Sequence, residues 1–141
     1  MKFGVEIPFV THLGIELELF EAGRSRLAYH PRAEHLNSFA VAHGGALMTL
    51  LDVTMAAAAR SVSPEMGVVT IEMKTSFMQA ASGKLSCQGS LMHRTGSMAF
   101  TDGTIFDAQG RACAHATGTF KYVKRLPGQE GTGPARQIST D

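Results

Sequence analysis

The chain contains no apolar run approaching the 18 or so residues needed to cross a bilayer, so no membrane span is expected. It also lacks an excess of charge. Thirteen basic residues face twelve acidic ones, a net charge of +1, and that balance offers no broad electrostatic footprint for nucleic acid or a membrane surface. Cysteine is scarce: Cys87 and Cys113 make no disulfide framework. Met1 to Pro8 has no charged start followed by an apolar core, the pattern of an export signal. Both cysteines therefore read as reduced thiols in a cytoplasmic protein. There is no internal repeat. The six histidines (His12, His30, His35, His43, His93 and His115) show no metal-ligand spacing, so neither a metal nor another cofactor is expected. What is present suffices for one core: 141 residues, 44% hydrophobic and 18% charged, the proportions of a globular domain. A single domain over residues 1–125 is expected, followed by a mobile tail over 126–141, which is rich in Gly, Pro and polar residues.

Hydrophobic spacing divides that domain into elements. Leu13 to Phe20 alternates weakly, and Ala22-Gly23 offers a turn before Arg24 to His30, so the pair reads as a hairpin. Residues 31–42 form a polar, turn-rich loop long enough to suggest function. A helix starts near His43 or Gly44 and ends near Ser61, where Ser63-Pro64 and Gly67 supply stop signals. The period then becomes two. Val69, Ile71, Met73, Thr75 and Phe77 share one face, and Thr70, Glu72, Lys74 and Ser76 share the other. Residues 84–93, 97–106 and 111–123 read as three further strands, joined by turns at Arg94-Thr95-Gly96 and 107–110. Two strands, a long apolar helix and four strands predict an α+β domain in which a curved antiparallel sheet wraps a central helix.

That helix carries an anomaly. The stretch from Gly44 to Arg60 is apolar or small on every side except for Asp52. A helix hydrophobic all round is normally buried, and an ionised carboxylate there is costly unless paired, so its pKa tends to rise. Such acids cluster at functional sites. A plainer reading also fits: a buried Asp satisfied by a Ser, Thr or Arg of a neighbouring element. Upstream, His43-Gly44-Gly45 opens the helix. Its first N–H groups have no intrahelical partner, and the helix dipole adds positive potential, so the place can hold an anion or a developing oxyanion. Close approach to a strand is the competing reason for paired glycines. Gly44 and Asp52 are eight residues apart, about 12 Å along one helix. One helix cannot bring both to the same carbonyl, whereas two helices antiparallel across a two-fold axis can. The spacing therefore predicts a homodimer with two sites at the subunit interface.

These residues resemble a known family. Asn37, followed after five residues by His43-Gly44-Gly45 and then by Leu50-Leu51-Asp52, is similar to the hotdog-fold acyl-CoA thioesterases, within the phenylacetyl-CoA thioesterase-like (PaaI) branch of the 4-hydroxybenzoyl-CoA thioesterase superfamily. The likeness extends over residues 10–123 and includes Leu13-Gly14-Ile15, the segment from Val69 to Met73 with Phe77-Met78, and Ala116-Thr117-Gly118-Thr119-Phe120. It implies a hotdog fold and roles for individual residues. Asp52 would be general base or nucleophile, the Gly44 N–H would polarise the thioester carbonyl, His43 would shape the turn, and Asn37 would orient substrate or water. Gly45 and Thr70 would line the substrate. The alternation puts Thr70 on the polar face of its strand, so either a bulge re-aims it or that role lapses. One departure is visible: the family often has Gly three residues after the Asn, where this chain has Ala40. That bears on the path of the loop.

The function expected is hydrolysis of an acyl-CoA thioester to free acid and coenzyme A. Its pocket would be lined by Met48, Met55 and Phe77, and the Arg94-Thr95-Gly96 turn is a candidate for a coenzyme A phosphate. A homodimer with shared sites, paired into a homotetramer, goes with that reading. The alternative is a non-catalytic acyl-CoA-binding or regulatory module of the same fold, which would have no need of Asp52.

Overall fold

The computed structural model describes residues 4–125; the expected tail over 126–141 lies outside them. The elements follow in the order α1 (Pro8–Leu13), β1 (Glu16–Glu21), β2 (Arg24–Tyr29), a 3₁₀ turn (Ala33–His35), α2 (Gly44–Arg60), β3 (Met66–Phe77), β4 (Leu85–Arg94), β5 (Met98–Phe106) and β6 (Ala112–Lys124). The six strands form one antiparallel sheet in the order β1-β2-β4-β5-β6-β3, with α2 packed against it. No helix among the described residues is long and apolar enough to cross a membrane.

Most expected elements are present, with some corrections. Leu13 belongs to a short helix, not to the first strand. Pro8 sits at its first turn and Gly14 closes it at φ +76°, the start and stop chemistry that a weak alternation masks. The strand placed after the central helix begins at Met66, three residues before Val69. Met55 does not line a pocket; it is wholly buried between α2 and the sheet. A Cβ on Gly118 would lie 2.9 Å from Met55 Cε, so the glycine makes room for the methionine.

Burial along α2 explains why an apolar helix tolerates one acid. Leu47, Leu50, Leu51, Thr54, Met55 and Ala57 to Ala59 pack against the sheet. Gly45, Met48, Thr49, Asp52 and Ala56 form a stripe at helical spacing that the single chain leaves exposed or half-exposed. The sheet also holds helical carbonyls directly: Ser25 Oγ donates to Thr54 O at 2.6 Å, and Tyr122 Oη to Ala59 O at 2.7 Å. Gly89 permits this approach, because a Cβ there would stand 2.6 Å from Ser25 Oγ and 2.9 Å from Thr54 O.

The strand β3 departs from simple alternation. It pairs with β6 through Thr70↔Phe120 and then Glu72↔Thr119, so Ile71 is an extra residue, a β-bulge. Residues directly opposite in an antiparallel pair share a face. Beyond the bulge Met73, Thr75 and Phe77 oppose Gly118, Ala116 and Ala114, and before it Thr70 opposes Phe120. All four partners are buried. Thr70 therefore faces inward with Met73, Thr75 and Phe77, while Ile71 is left 53% exposed. The one-faced pattern of Val69, Ile71, Met73, Thr75 and Phe77 is corrected accordingly.

Candidate active site

Asp52 lies half-buried on the uncovered stripe of α2. Thr70 Oγ1 donates to its Oδ1 at 2.6 Å, which the bulge at Ile71 makes possible. No cation pairs with Asp52 among the described residues. Burial holds its carboxyl above the usual aspartate range, and the Thr70 hydroxyl pulls it part of the way back. The neighbour expected on a plain structural reading is thus present, yet it leaves the carboxylate open: Thr70 itself is exposed in the single chain.

The start of α2 is built from the loop that precedes it. His43 is the N-cap, with extended backbone, and its Nδ1 accepts the Gly45 N–H at 2.8 Å. That nitrogen therefore carries no proton, and the neutral ring is protonated on Nε2. Gly45 must be small for this contact, since a Cβ would come within 3.1 Å of His43 Nδ1. His43 O takes the Ala46 and Leu47 N–H groups, and His43 N–H donates to His35 O at 2.9 Å. His35 is itself buried, with Nδ1 held by the Arg32 N–H at 3.1 Å and 2.8 Å from Tyr29 Oη. Of the paired glycines only Gly44 keeps its N–H unengaged: among the described residues no acceptor is bonded to it.

Asn37 shapes the loop. Its Oδ1 accepts from Phe39 N–H at 2.9 Å and Val41 N–H at 3.4 Å, and its own N–H donates to Val41 O at 2.8 Å. Only its Nδ2 amide remains for a substrate. Ala40 sits at φ +62°, in the left-handed region that glycine prefers. The backbone thus keeps the bend that a glycine would adopt without strain. Phe39, at the tip, is 83% exposed.

The Arg94-Thr95-Gly96 turn is tied into its own surroundings. Arg94 Nη1 donates to Ser63 Oγ at 2.7 Å, its Nε to Thr95 O at 3.2 Å, and its guanidinium lies 4.2 Å from the centre of the Tyr122 ring. Thr95 Oγ1 accepts the Ser97 and Met98 N–H groups, and Gly96 stands in open space. Burial pushes the Cys87 thiol to about 12, leaving it inert as a nucleophile.

The structure thus joins Thr70 to Asp52, and His43 to Gly44 and Gly45, but it keeps the two groups apart along α2. One neighbour of the second group was visible in the sequence only as a pocket lining. Phe77 lies against Gly44, where a Cβ would meet its Cζ at 3.5 Å and Cε1 at 3.6 Å. That contact depends on the bulge, and a bulge has no signature in an alternating sequence.

Comparisons with known proteins bear on the family and the fold. The sequence profile of the thioesterase superfamily matches residues 39–114, more than half of the chain. A candidate esterase of Saccharolobus solfataricus is 27% identical over 114 residues, covering 80% of this chain and 81% of that protein. A conserved protein of Pseudomonas aeruginosa superposes with a TM-score of 0.81 at 24% identity, over 85% of this chain and 97% of its own. The Escherichia coli PaaI protein, from the phenylacetic acid degradation operon, does so at 0.78 and 22% identity, over 90% and 89% of the two chains. At such identities the solved structures speak for the fold, a sheet curled around one long helix.

Proposed function

Because the chain belongs to the thioesterase superfamily and is a thioesterase-type hydrolase, we propose that it cleaves acyl-CoA thioesters to a free carboxylic acid and coenzyme A. In this reading it works in the manner of the phenylacetyl-CoA thioesterase-like branch, at sites shared between two copies of the chain. The observation that carries the proposal is Asp52: a half-buried carboxylate, free of any cation among the described residues, fixed by one hydroxyl and open on its other side.

The thioester carbonyl accepts the Gly44 N–H of one copy, where unpaired helix-terminal amides and the α2 dipole favour the oxygen as it becomes negative. Asp52 of the other copy acts as general base or nucleophile. As base it takes a proton from a water whose oxygen attacks the carbonyl carbon. Collapse of the tetrahedral intermediate breaks the C–S bond and releases the thiolate, which takes up a proton. A carboxyl held above its ordinary range accepts that proton more readily than a solvated aspartate would. His43 keeps the turn in shape, and Asn37 Nδ2 orients the substrate or the water. Gly45 supplies the close approach, and Thr70 holds Asp52 in place.

A second copy is required by distance, since Gly44 and Asp52 of one helix stand about 12 Å apart. Its contact surface is the exposed stripe of α2, and a partner could also cover other exposed apolar groups, Phe39, Ile71 and Met78. Residues 1–125 act as one domain, and pairs of dimers make a tetramer. Arg94 Nη2, with Thr95 and Gly96, is the place offered to a coenzyme A phosphate. The water-filled interior of the cell, where acyl-CoA is found, is the compartment that fits.

Asp52→Asn tests the proposal. In a thiol-release assay across a panel of acyl-CoAs, kcat should fall at least ~100-fold with acyl-CoA binding retained. Full activity in that variant would remove Asp52 from the chemistry.

A further inference from the structure

Phe77 closes β3 on its inward face, and its backbone is tied to β6. It pairs with Ala114, and the next residue, Met78, donates its N–H to Cys113 O at 2.8 Å. A side-chain carbon built on Gly44 would stand 3.5 Å from Phe77 Cζ, ordinary contact distance, so the ring lies beside the glycine that opens α2. Even so, Phe77 is 52% exposed, an unusual state for a large apolar group on the inward face of a sheet. The ring therefore lies beside Gly44 with about half of the residue open.

A carbonyl oxygen bonded to that N–H lies about 2.9 Å from the nitrogen. The carbon attached to the carbonyl on its acyl side then falls within reach of a ring that lies at contact distance from the place a Gly44 side chain would take. Optimal carbon–carbon contact is about 3.5–4.0 Å, and the ring is carried by a backbone paired with β6. A methylene or a flat aromatic carbon lies against such a surface, whereas a methyl branch points into it. Met48, one helical turn from Gly44 and 38% exposed, flanks the same space, but as an unbranched, adaptable side chain it yields where the ring does not.

We infer that Phe77 gauges the acyl group at the carbon next to the carbonyl, selecting thioesters unbranched there over those that carry a branch. This rests on the proposed use of the Gly44 N–H, and it adds a substrate class to that reading.

The test compares kcat/KM for two matched pairs, phenylacetyl-CoA with 2-phenylpropionyl-CoA and butanoyl-CoA with 2-methylbutanoyl-CoA. The wild type should prefer the unbranched member of each pair at least ~10-fold, the lower end of what one methyl group decides in a fitted pocket. Phe77→Ala should reduce that preference at least ~10-fold, Phe77→Leu should reduce it less, and Phe77→Trp should sharpen it. The Leu and Trp variants carry the test if the Ala variant does not fold. An unchanged ratio across the folded variants overturns the inference while leaving hydrolysis by Asp52 intact, which the Asp52→Asn control reports separately. No turnover of any of the four thioesters by wild type overturns both.

Discussion

Thr70→Val removes the one hydrogen bond that holds Asp52, at nearly constant volume. The bond is 2.6 Å long and joins a hydroxyl to a carboxylate. Hydrogen bonds to charged groups contribute about 1.5–3 kcal/mol, and at 1.4 kcal/mol per factor of ten that is roughly a 10- to 150-fold loss if the bond acts only on the reacting carboxylate. Exposure of Thr70 favours the lower end, because water replaces part of what is lost. A second effect has a definite sign. The hydroxyl lowers the Asp52 pKa against the upward push of burial, so its removal raises that pKa and moves the acidic limb of the kcat/KM profile to higher pH. The assay is thiol release from an acyl-CoA that the wild type turns over, followed across the acid range. Thr70→Ser keeps the hydroxyl and should restore most of the rate together with the original limb. A Val variant with wild-type kcat and an unmoved acidic limb would refute the reasoning, because a merely structural Thr70 predicts that outcome.

The same elevated carboxyl has a consequence for stability. A folded-state pKa above the unfolded value means that the native chain binds the extra proton, so stability falls as pH rises from the ordinary aspartate value through the folded one. Asp52→Asn should therefore raise Tm at neutral pH and change it little below about pH 3, where the acid is mostly protonated in both states; equal shifts at both pH values would contradict this. Gly44→Pro deletes the free N–H at a helix position that accepts proline, and the extended His43 before it is compatible with one. Such chains should lose about 3 kcal/mol of catalysis, and mixing them with inactive Asp52→Asn chains should restore part of the activity. No recovery despite demonstrated subunit exchange would count against a shared site. Ala40→Gly relieves a left-handed residue and should stabilise the chain by up to about 1 kcal/mol, after the greater freedom of glycine in the unfolded state is subtracted. A lowered Tm would show the loop to be unstrained.

Much of this architecture was legible before any coordinates. The apolar spacing of α2 and the two-residue period of the later strands follow from what each surface must bury, and the structure keeps both. Asp52 stood out because a lone acid in such a helix needs a reason. Most of what the sequence hides depends on contacts distant in the chain. Nothing near Thr70 announces the extra residue at Ile71, since a bulge is settled by how β3 fits β6. Nothing near Arg94 reveals that Ser63 and Tyr122 engage it. Met55 belongs to the core because Gly118, sixty-three positions away, leaves a space for it. The short α1 was missed for a local reason: Pro8 and Gly14 mark its ends, but six residues are too few to display a helical period.

The inserted isoleucine makes β3 two rulers laid end to end against β6, offset from each other by one residue. Substitutions along either half are read by that half alone, so the threonine bonded to Asp52 and the phenylalanine beside Gly44 can vary independently. Removing Ile71 would join the rulers and force a choice. Either Thr70 swings to the outer face, or Met73, Thr75 and Phe77 do. Losing this one exposed side chain together with its backbone should thus harm the enzyme far more than replacing it with alanine.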